Sequence, residues 1–348
     1  MPKNHLISVI LLCYNLEKLI GKNLECFMNQ TDKEFELVLV DNSSNDNSLK
    51  IMENFKASNK EMDIIIFKND STKVYDGRKK GFVNSTGRFV MFHDGDDWLE
   101  LETIEKCKKR LLEKNMPDCL IFSSKSVDGD GKVISEEDMP IDNTVWMKNT
   151  LHSFLIKRDI VISAGLPFKD TFFEDFYVSA CLKPYIKSST FLKRPLYNFY
   201  TNPISTTAMA KKQANTKWPE LMNDLFSLTK RVGETLESEW EIMIYEYQLI
   251  RHYYSIIFAA CAYLKYEDKI KTYKEINKVM KKHAPNYLGN KNIAFLKRNY
   301  HCGSFKRRIW LSSKLEKLDK ISNSNFFMGI LIKIYHLALK TSIYQLKH

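Results

Sequence analysis

The chain has 348 residues, of which 44% are hydrophobic and 27% are charged, with 12 glycines and 9 prolines. This composition is typical of a soluble globular protein and excludes a collagen, a disordered chain and a low-complexity array. The length predicts two domains. No uncharged apolar run reaches 18 residues, and the N-terminus lacks an apolar signal core. We therefore expect neither a membrane-spanning helix nor secretion.

Seven scattered cysteines without a C-x-x-C pair predict reduced thiols and a cytoplasmic location, and they exclude a zinc site built from cysteine pairs. The net charge of +11 is unevenly distributed. Residues 265–348 contain 19 Lys and Arg against 5 Asp and Glu, whereas residues 1–264 contain 34 against 37. Such asymmetry favours an anionic partner for the C-terminal part of the chain.

The first hundred residues alternate between short apolar runs and helical periodicity. The predicted strands cover residues 5–12, 35–40, 64–67 and 88–92, and the predicted helices cover residues 16–28, 46–55 and 76–85. Strands separated by helices imply right-handed crossovers. We therefore predict an α/β fold with a mostly parallel, Rossmann-like sheet.

The next hundred residues contain fewer regular elements. We predict a helix at residues 101–114, a strand at 118–123, a hairpin turn at 128–132, a helix at 173–182 and a strand with a loop at 195–207.

Helical patterns dominate after about residue 215. They cover residues 218–232, 236–264 and 266–283, and residues 326–346 form an amphipathic basic segment. The sequence thus predicts an α/β domain at residues 1–210 and a basic helical region at residues 211–348. That region either binds an anionic membrane surface, which would place the protein on the inner face of the cell membrane, or packs as a helical or oligomerisation domain.

Polar and acidic residues follow three of the predicted strands: Tyr14-Asn15, Asp41 and the segment Asp94-Gly95-Asp96-Asp97. Open α/β sheets bind ligands at the carboxyl ends of their strands. Three carboxylates in four residues repel one another unless a cation lies between them. Mg²⁺ prefers such ligands and completes its shell with water and phosphates, and Gly95 would let a ligand approach the backbone. The alternative is a turn that caps a helix beginning near Trp98.

Three further residues or pairs have two interpretations each. Asp41 either accepts a hydrogen bond from a nucleobase or ribose, or forms a turn. Arg78 faces a nucleotide, or lies on a solvated basic helix face. Glu174 and Asp175 supply a general base, or they stabilise the N-terminus of a helix.

These segments together resemble family 2 glycosyltransferases of the GT-A fold, as found in bacterial polysaccharide synthesis. The resemblance spans about residues 5–207 and rests on residues 8–15, Asn29-Gln30-Thr31, residues 36–46, Arg78-Lys79-Lys80-Gly81, residues 92–99 and Phe173-Glu174-Asp175. Leu12-Cys13 departs from the usual Pro-Val, Lys79 stands where Asn is typical, and residues 197–205 lack a basic residue found in the family.

The resemblance implies an inverting, metal-dependent transfer of a sugar from a UDP-sugar to a hydroxyl group of a glycan or lipid-diphosphate-linked acceptor. The implied donor-binding residues are Tyr14, Asn15, Asp41, Arg78, Asp94 and Gly95, and residues 1–210 would form the nucleotide-sugar-binding catalytic domain. Asp96 would bind Mn²⁺ or Mg²⁺, Asp175 would be the catalytic base, and Glu174 would position the acceptor or the sugar.

Other classes of protein remain as alternatives of different weight. A non-catalytic nucleotide-sugar-binding or scaffold protein would keep the same residues, and a homo-oligomer is left open. Nucleic-acid binding is disfavoured because the basic region has no RNP, zinc or helix-turn-helix pattern. Dehydrogenases and P-loop enzymes are disfavoured because neither glycine-rich fingerprint occurs.

Overall fold

A computed structural model describes residues 5–136, 150–171, 174–202, 218–239, 242, 245–246, 249–250 and 266–284. The chain divides into two compact units, Met1–Asn202 and Pro203–His348. The predicted domain boundary at residue 210 lies outside the described residues, as does the amphipathic segment at residues 326–346. Within the described part of the chain, no helix is both long and apolar enough to cross a bilayer.

The described residues of the first unit form one mixed sheet of nine strands. The strands are β1 (Ile7–Cys13), β2 (Glu36–Asp41), β3 (Asp63–Lys68), β4 (Phe89–Asp94), β5 (Trp98–Leu99), β6 (Cys119–Val127), β7 (Val133–Glu136), β8 (Phe154–Lys157) and β9 (Ser189–Tyr200). Their order is β3-β2-β1-β4-β8-β6-β9-β5, with β7 paired to β6. Six strands run in one direction, and β5, β7 and β8 run opposite to them. The predicted α/β fold with a mostly parallel sheet is confirmed.

Helices cover the sheet because its central strands are apolar on both faces. Every residue of β2 is buried, and β1 and β4 are buried along almost their whole length, as expected for parallel strands with helices on each side. The helices of this unit are α1 (Ile20–Met28), α2 (Ser48–Ser58), α3 (Val74–Val83), α4 (Thr103–Glu113), α5 (Arg158–Ser163) and α6 (Glu174–Leu182). The core includes Phe27, Phe35, Leu39 and Met91, all with negligible exposure.

Two short strands were not predicted from the sequence. The strand β8 lies between β4 and β6 and is antiparallel to both, and α5 follows it directly. Trp98 and Leu99 form β5 against β9, so the alternative of a helix beginning near Trp98 is wrong. The hairpin turn at residues 128–132 is confirmed: Gly131 adopts a φ of 84°, and Asp128 N donates to Lys132 O at 3.0 Å.

The second unit is helical where it is described. The helix α7 spans Trp218–Gly233 and α8 spans Tyr266–His283, in agreement with the predicted helices at 218–232 and 266–283. Of the predicted helix at 236–264, the described residues from 239 onward are helical.

Candidate active site

The carboxyl ends of β1, β2 and β4 meet at one edge of the sheet. Cys13 at the end of β1 lies opposite Asp41 at the end of β2, and Leu12 lies opposite Asp94 at the end of β4. The three polar segments singled out in the sequence therefore lie side by side, at the position where open α/β sheets bind ligands. Tyr14 follows β1 and is exposed at this edge.

Hydrogen bonds join the loop after β1 to the loop after β2. Asn15 adopts a left-handed φ of 52°, a conformation that asparagine tolerates better than most residues. Its backbone N donates to Ser44 Oγ at 3.0 Å, and its Oδ1 accepts from Asn45 N at 2.9 Å. The Asn15 side chain is therefore engaged in fixing the loops.

Asp41 is fully buried and forms the turn that one interpretation of the sequence predicts. One carboxylate oxygen accepts a turn hydrogen bond from Ser44 N at 3.3 Å. The other, Oδ1, is buried without a hydrogen-bond partner among the described residues. A buried acceptor left unsatisfied costs about 1–3 kcal/mol. This oxygen fits a ligand that supplies an N–H or O–H donor.

Gly95 is needed because a larger side chain would not fit at this position. A Cβ atom at this position would lie 2.7 Å from the Leu12 carbonyl oxygen and 2.8 Å from Leu16 Cδ1. Gly95 N also donates to Leu12 O at 2.9 Å. The space that the missing side chain leaves is thus filled by the strand β1 and the residues after it.

The last acid of the segment, Asp97, is buried beneath the loop. Its carboxylate accepts from Tyr197 Oη at 2.6 Å and from Tyr200 N at 2.8 Å. Burial, together with the charges of Asp94 and Asp96, holds the pKa of Asp97 well above its usual range. In the sequence, Tyr197 was noted only as the first residue of the segment 197–205, and a partner 100 residues away leaves no local signal. The Tyr197 hydroxyl also accepts from Asp94 N at 3.4 Å, so Tyr197 holds both ends of the segment from Asp94 to Asp97.

Asp96 is the acid expected to bind a metal ion. Its Oδ2 accepts from Asn202 Nδ2 at 3.3 Å. Burial, with the nearby charge of Asp94, raises the pKa of Asp96. Among the described residues, no group of three His, Cys, Asp or Glu side chains is arranged to hold a metal. Mg²⁺ is commonly held by one or two carboxylates with substrate phosphates and water, and a carboxylate destabilised by a neighbouring negative charge fits such a cation.

Arg78 forms hydrogen bonds with three acids of the site, Asp94, Glu174 and Asp175. The residue lies on α3 and is buried. Its Nη2 donates to Asp94 Oδ1 at 3.0 Å, and its Nη1 donates to Glu174 Oε2 and to Asp175 Oδ1. This differs from the expectation that Arg78 faces a nucleotide. The structure instead brings the end of β4 and the start of α6 together around one guanidinium.

The two acids of α6 differ in their accessibility. The Glu174 side chain is 8% exposed, whereas that of Asp175 is 34% exposed. Burial raises the pKa of Glu174 to about 8 although Arg78 opposes this rise, and the charge and hydrogen bond of Asp175 add to it. At neutral pH Glu174 therefore tends to keep its proton. Asp175 is the carboxylate of this pair that a second substrate can reach.

The fold and the site define a class of protein: a GT-A domain with carboxylates gathered at the carboxyl edge of its sheet. The family model described as "Glycosyl transferase family 2" matches residues 8–176. The matched region, residues 8–176, therefore belongs to family 2 of the glycosyltransferases, a class of transferase enzymes.

Two curated relatives show how far this likeness extends. Glycosyltransferase GlyA of Streptococcus pneumoniae is 34% identical over 109 residues, which cover 31% of this chain and 15% of that protein. The cholesterol galactosyltransferase of Borreliella burgdorferi is 26% identical over 275 residues, which cover 72% of this chain and 74% of that protein. The chain thus matches a small part of the first relative and about three quarters of the second.

Two solved structures share the fold. Residues 1–349 of Staphylococcus aureus TarS in complex with UDP align with a TM-score of 0.64 and 18% identity, covering 95% of this chain and 91% of that one. A mannosyltransferase from Pyrobaculum calidifontis in complex with GDP-Man and Mn²⁺ aligns with a TM-score of 0.53 and 10% identity, covering 97% and 88%.

Proposed function

We propose that this chain transfers a sugar from a UDP-sugar to a hydroxyl group of a glycan or lipid-diphosphate-linked acceptor during cell-surface polysaccharide synthesis. The observation that carries the proposal is the gathering of Asp41, Asp94, Asp96 and Asp175 at one edge of the sheet, with Arg78 joining two of them. The TarS and mannosyltransferase structures, which contain nucleotides, support a nucleotide-sugar donor.

The positions of the residues suggest how the donor is held. Tyr14 and Asp41 lie at the ends of β1 and β2 and would bind the nucleobase, with the unpartnered Oδ1 of Asp41 as an acceptor. Asp94 and Asp96 follow β4 and would lie beside the sugar and the diphosphate. Mn²⁺ or Mg²⁺, held by Asp96 and the diphosphate, would neutralise the negative charge that develops on the departing UDP.

Asp175 is the proposed catalytic base. It would take the proton of an acceptor hydroxyl while that oxygen forms a bond to the anomeric carbon of the donor. The bond between that carbon and the diphosphate oxygen breaks at the same time, and UDP leaves with both electrons. A single displacement of this kind inverts the configuration at the anomeric carbon. Glu174 is too buried for this role, and we assign it to positioning Asp175 through their shared contact with Arg78.

The test separates donor binding from catalysis. Calorimetric titration of UDP is made with Mn²⁺ and with EDTA, on the native chain and on the variants Asp96→Ala and Asp175→Asn. We expect Asp96→Ala to lose metal-dependent UDP binding and to lower transfer by about 10²–10³. Asp175→Asn should retain UDP binding and lower transfer by about 10²–10⁴, the usual contribution of a general base.

Asp159→Ala is the matched control. Asp159 is an exposed aspartate that follows β8 at the opposite edge of the sheet. Equal loss of UDP binding in Asp96→Ala and Asp175→Asn would contradict the assignment of roles. Metal-dependent UDP binding without transfer to any acceptor would favour the alternative of a non-catalytic nucleotide-sugar-binding protein.

A further inference from the structure

Three aromatic side chains stack beside the acidic loop, and we call them the aromatic ledge: His152, Tyr197 and Phe199. The His152 ring lies 4.9 Å from the Tyr197 ring at an interplanar angle of 21°, and 5.5 Å from the Phe199 ring at 27°. Tyr197 is fully buried, whereas Phe199 is 40% exposed. Phe199 therefore keeps part of its surface accessible although it stacks on His152.

The backbone holds His152 in place. Because β8 runs antiparallel to β4, its first residues lie at the same edge of the sheet as Asp94. Ser153, which follows His152 and lies just before β8, adopts a left-handed φ of 62° and is buried. Phe122 N donates to Ser153 O at 3.2 Å. A left-handed conformation at a non-glycine residue persists only where the surroundings impose it, so the stack with His152 belongs to a fixed turn.

The aromatic ledge is connected to the proposed reaction centre by hydrogen bonds. Tyr197 Oη donates to Asp97 at 2.6 Å and accepts from Asp94 N at 3.4 Å. Phe199 follows on the same strand, about 7 Å further towards the carboxyl edge. Asn202, three residues later, donates to Asp96 at 3.3 Å. Phe199 thus lies between two contacts to the acidic loop.

The strand order gives the aromatic ledge a place relative to the donor. Asp41 and Tyr14 follow β2 and β1, Asp94 and Asp96 follow β4, and the ledge belongs to β8 and β9 on the far side of β4. If the nucleobase lies over β1 and β2 and the diphosphate over β4, the next position along the edge is where the acceptor would enter.

We infer that Phe199, supported by His152, stacks against a pyranose ring of the acceptor. A pyranose presents weakly positive C–H groups on one face and hydroxyl groups around its rim. The negative face of an aromatic ring attracts such C–H groups, and the adjacent carboxylates can accept from the hydroxyls. Binding sites of this kind combine aromatic walls with a few polar groups. The inference rests on the proposed function for its distinction between donor and acceptor.

The test uses saturation-transfer NMR titration of the full chain with three probes: the methyl glycosides of glucose, galactose and N-acetylglucosamine. Each titration is run without nucleotide and again with UDP and Mn²⁺. We expect at least one glycoside to saturate, with transfer strongest at the ring protons of one face. Phe199→Ala should weaken its binding about threefold to tenfold, the usual range for an aromatic contact, and Phe199→Trp should retain it.

Tyr185→Ala is the matched control, because Tyr185 is exposed to a similar degree, 42%, beyond the far end of α6. Calorimetry of UDP on the same variants tests the proposed function separately. Failure of UDP binding would overturn that function and the assignment of Phe199 to an acceptor, whereas glycoside binding at Phe199 would still be read from the NMR titration. Saturation by none of the three glycosides, or equal binding to the native chain and Phe199→Ala, would overturn the aromatic site. A loss of affinity for a UDP-sugar but not for UDP would assign Phe199 to the donor instead.

Discussion

Arg78 is the residue on which the electrostatics of the site depend. A single guanidinium contacts Asp94, Glu174 and Asp175, and it cannot neutralise three carboxylates at once. The carboxylate that is most costly to ionise is the most buried one, Glu174, because desolvation disfavours its charged form. A proton on Glu174 leaves Asp94 and Asp175 as the two acids that share the Arg78 guanidinium, and it lowers the repulsion among the three acids.

This arrangement predicts a pH-dependent stability. The pKa of Glu174 is raised in the folded chain from about 4.5 to about 8. Between these values the folded state binds more protons than the unfolded state, so the contribution of Glu174 to stability falls as the pH rises. Glu174→Gln removes this loss. We expect the variant to gain at least about 1 kcal/mol relative to the native chain between pH 5 and pH 8, measured by urea unfolding at several pH values.

Glu61→Gln removes an exposed glutamate and provides the control for that series, because it should not reproduce the pH-dependent gain. A difference between Glu174→Gln and the native chain that does not change from pH 5 to pH 8 would show that Glu174 is ionised throughout this range.

The sequence predicted the members of this cluster but not their pairing. Asp94, Glu174 and Asp175 are recognisable as acids beside a strand end or a helix start. Their partner Arg78 lies 16, 96 and 97 residues away from them, and hydrogen bonds across such separations leave no periodic signal. The prediction that Arg78 lies near a nucleotide was based on its neighbours in the sequence. Its contacts in the structure depend on the position of α6, which carries Glu174 and Asp175.

At the scale of elements, α3 carries Arg78 to the site because a glycine lets the helix approach the sheet. A Cβ atom on Gly81 would lie 2.3 Å from Ile10 Cγ2 and 3.1 Å from Val40 Cγ2. Both are branched side chains in buried strands and have little freedom to move. Residues three apart share a helix face, so Arg78 lies on the same side of α3 as Gly81, which packs on β1 and β2.

We therefore expect Gly81→Ala to destabilise the chain by about 1–3 kcal/mol through overpacking and to weaken UDP binding by displacing Arg78. The matched control is Gly21→Ala on α1, where nothing lies within 4 Å of the added atom. That substitution should stabilise the chain by about 0.5–1 kcal/mol, as alanine does in an open helical position. Denaturant unfolding measures both effects, and equal shifts in the two variants would contradict the close packing of α3.

One motif of the resemblance has a structural role at this scale. This motif is Asn29-Gln30-Thr31, which follows α1. The Nε2 atom of Gln30 donates to Cys26 O at 3.0 Å and to Glu100 O at 2.8 Å. Its Oε1 accepts from Ile104 N at 3.1 Å. The residue therefore fastens the end of α1 to the start of α4. These bonds fix the chain that leaves the acidic loop.

Strands with long apolar runs were predictable from the sequence, whereas very short strands were not. The strands β1, β2 and β4 are buried apolar runs, and their bounds differ from the predicted ones by one or two residues. The strands β5 and β8 have two and four residues, too few for alternation to be distinguished from a loop. Their pairing is set by β9 and β4, which are distant in sequence, so it could not be predicted locally.

For the whole molecule, the basic charge is concentrated in the last part of the second unit. Residues 265–348 hold a large excess of basic residues, whereas residues 1–264 are close to neutral. Within the described part, α8 bears exposed lysines at positions 271, 274, 278 and 281, and its buried residues Thr272, Ile276 and Met280 lie on another side of the helix. Residues spaced by three, seven and ten share one helical face, so α8 presents a basic stripe.

This basic stripe predicts association with an anionic membrane surface, where each lysine contributes about 1 kcal/mol. Replacing the four α8 lysines by glutamine in the full chain should weaken sedimentation with phosphatidylglycerol vesicles by about 10²–10³ at low salt, while UDP binding stays unchanged. The control changes the net charge equally by replacing exposed Lys56, Lys60, Lys109 and Lys114 of the first unit. Native binding should also fall in high salt, because the Debye length shrinks to about 3 Å at 1 M.

Equal losses in the two sets of variants, or equal binding to phosphatidylcholine vesicles, would instead favour a helical domain whose basic face is merely solvated.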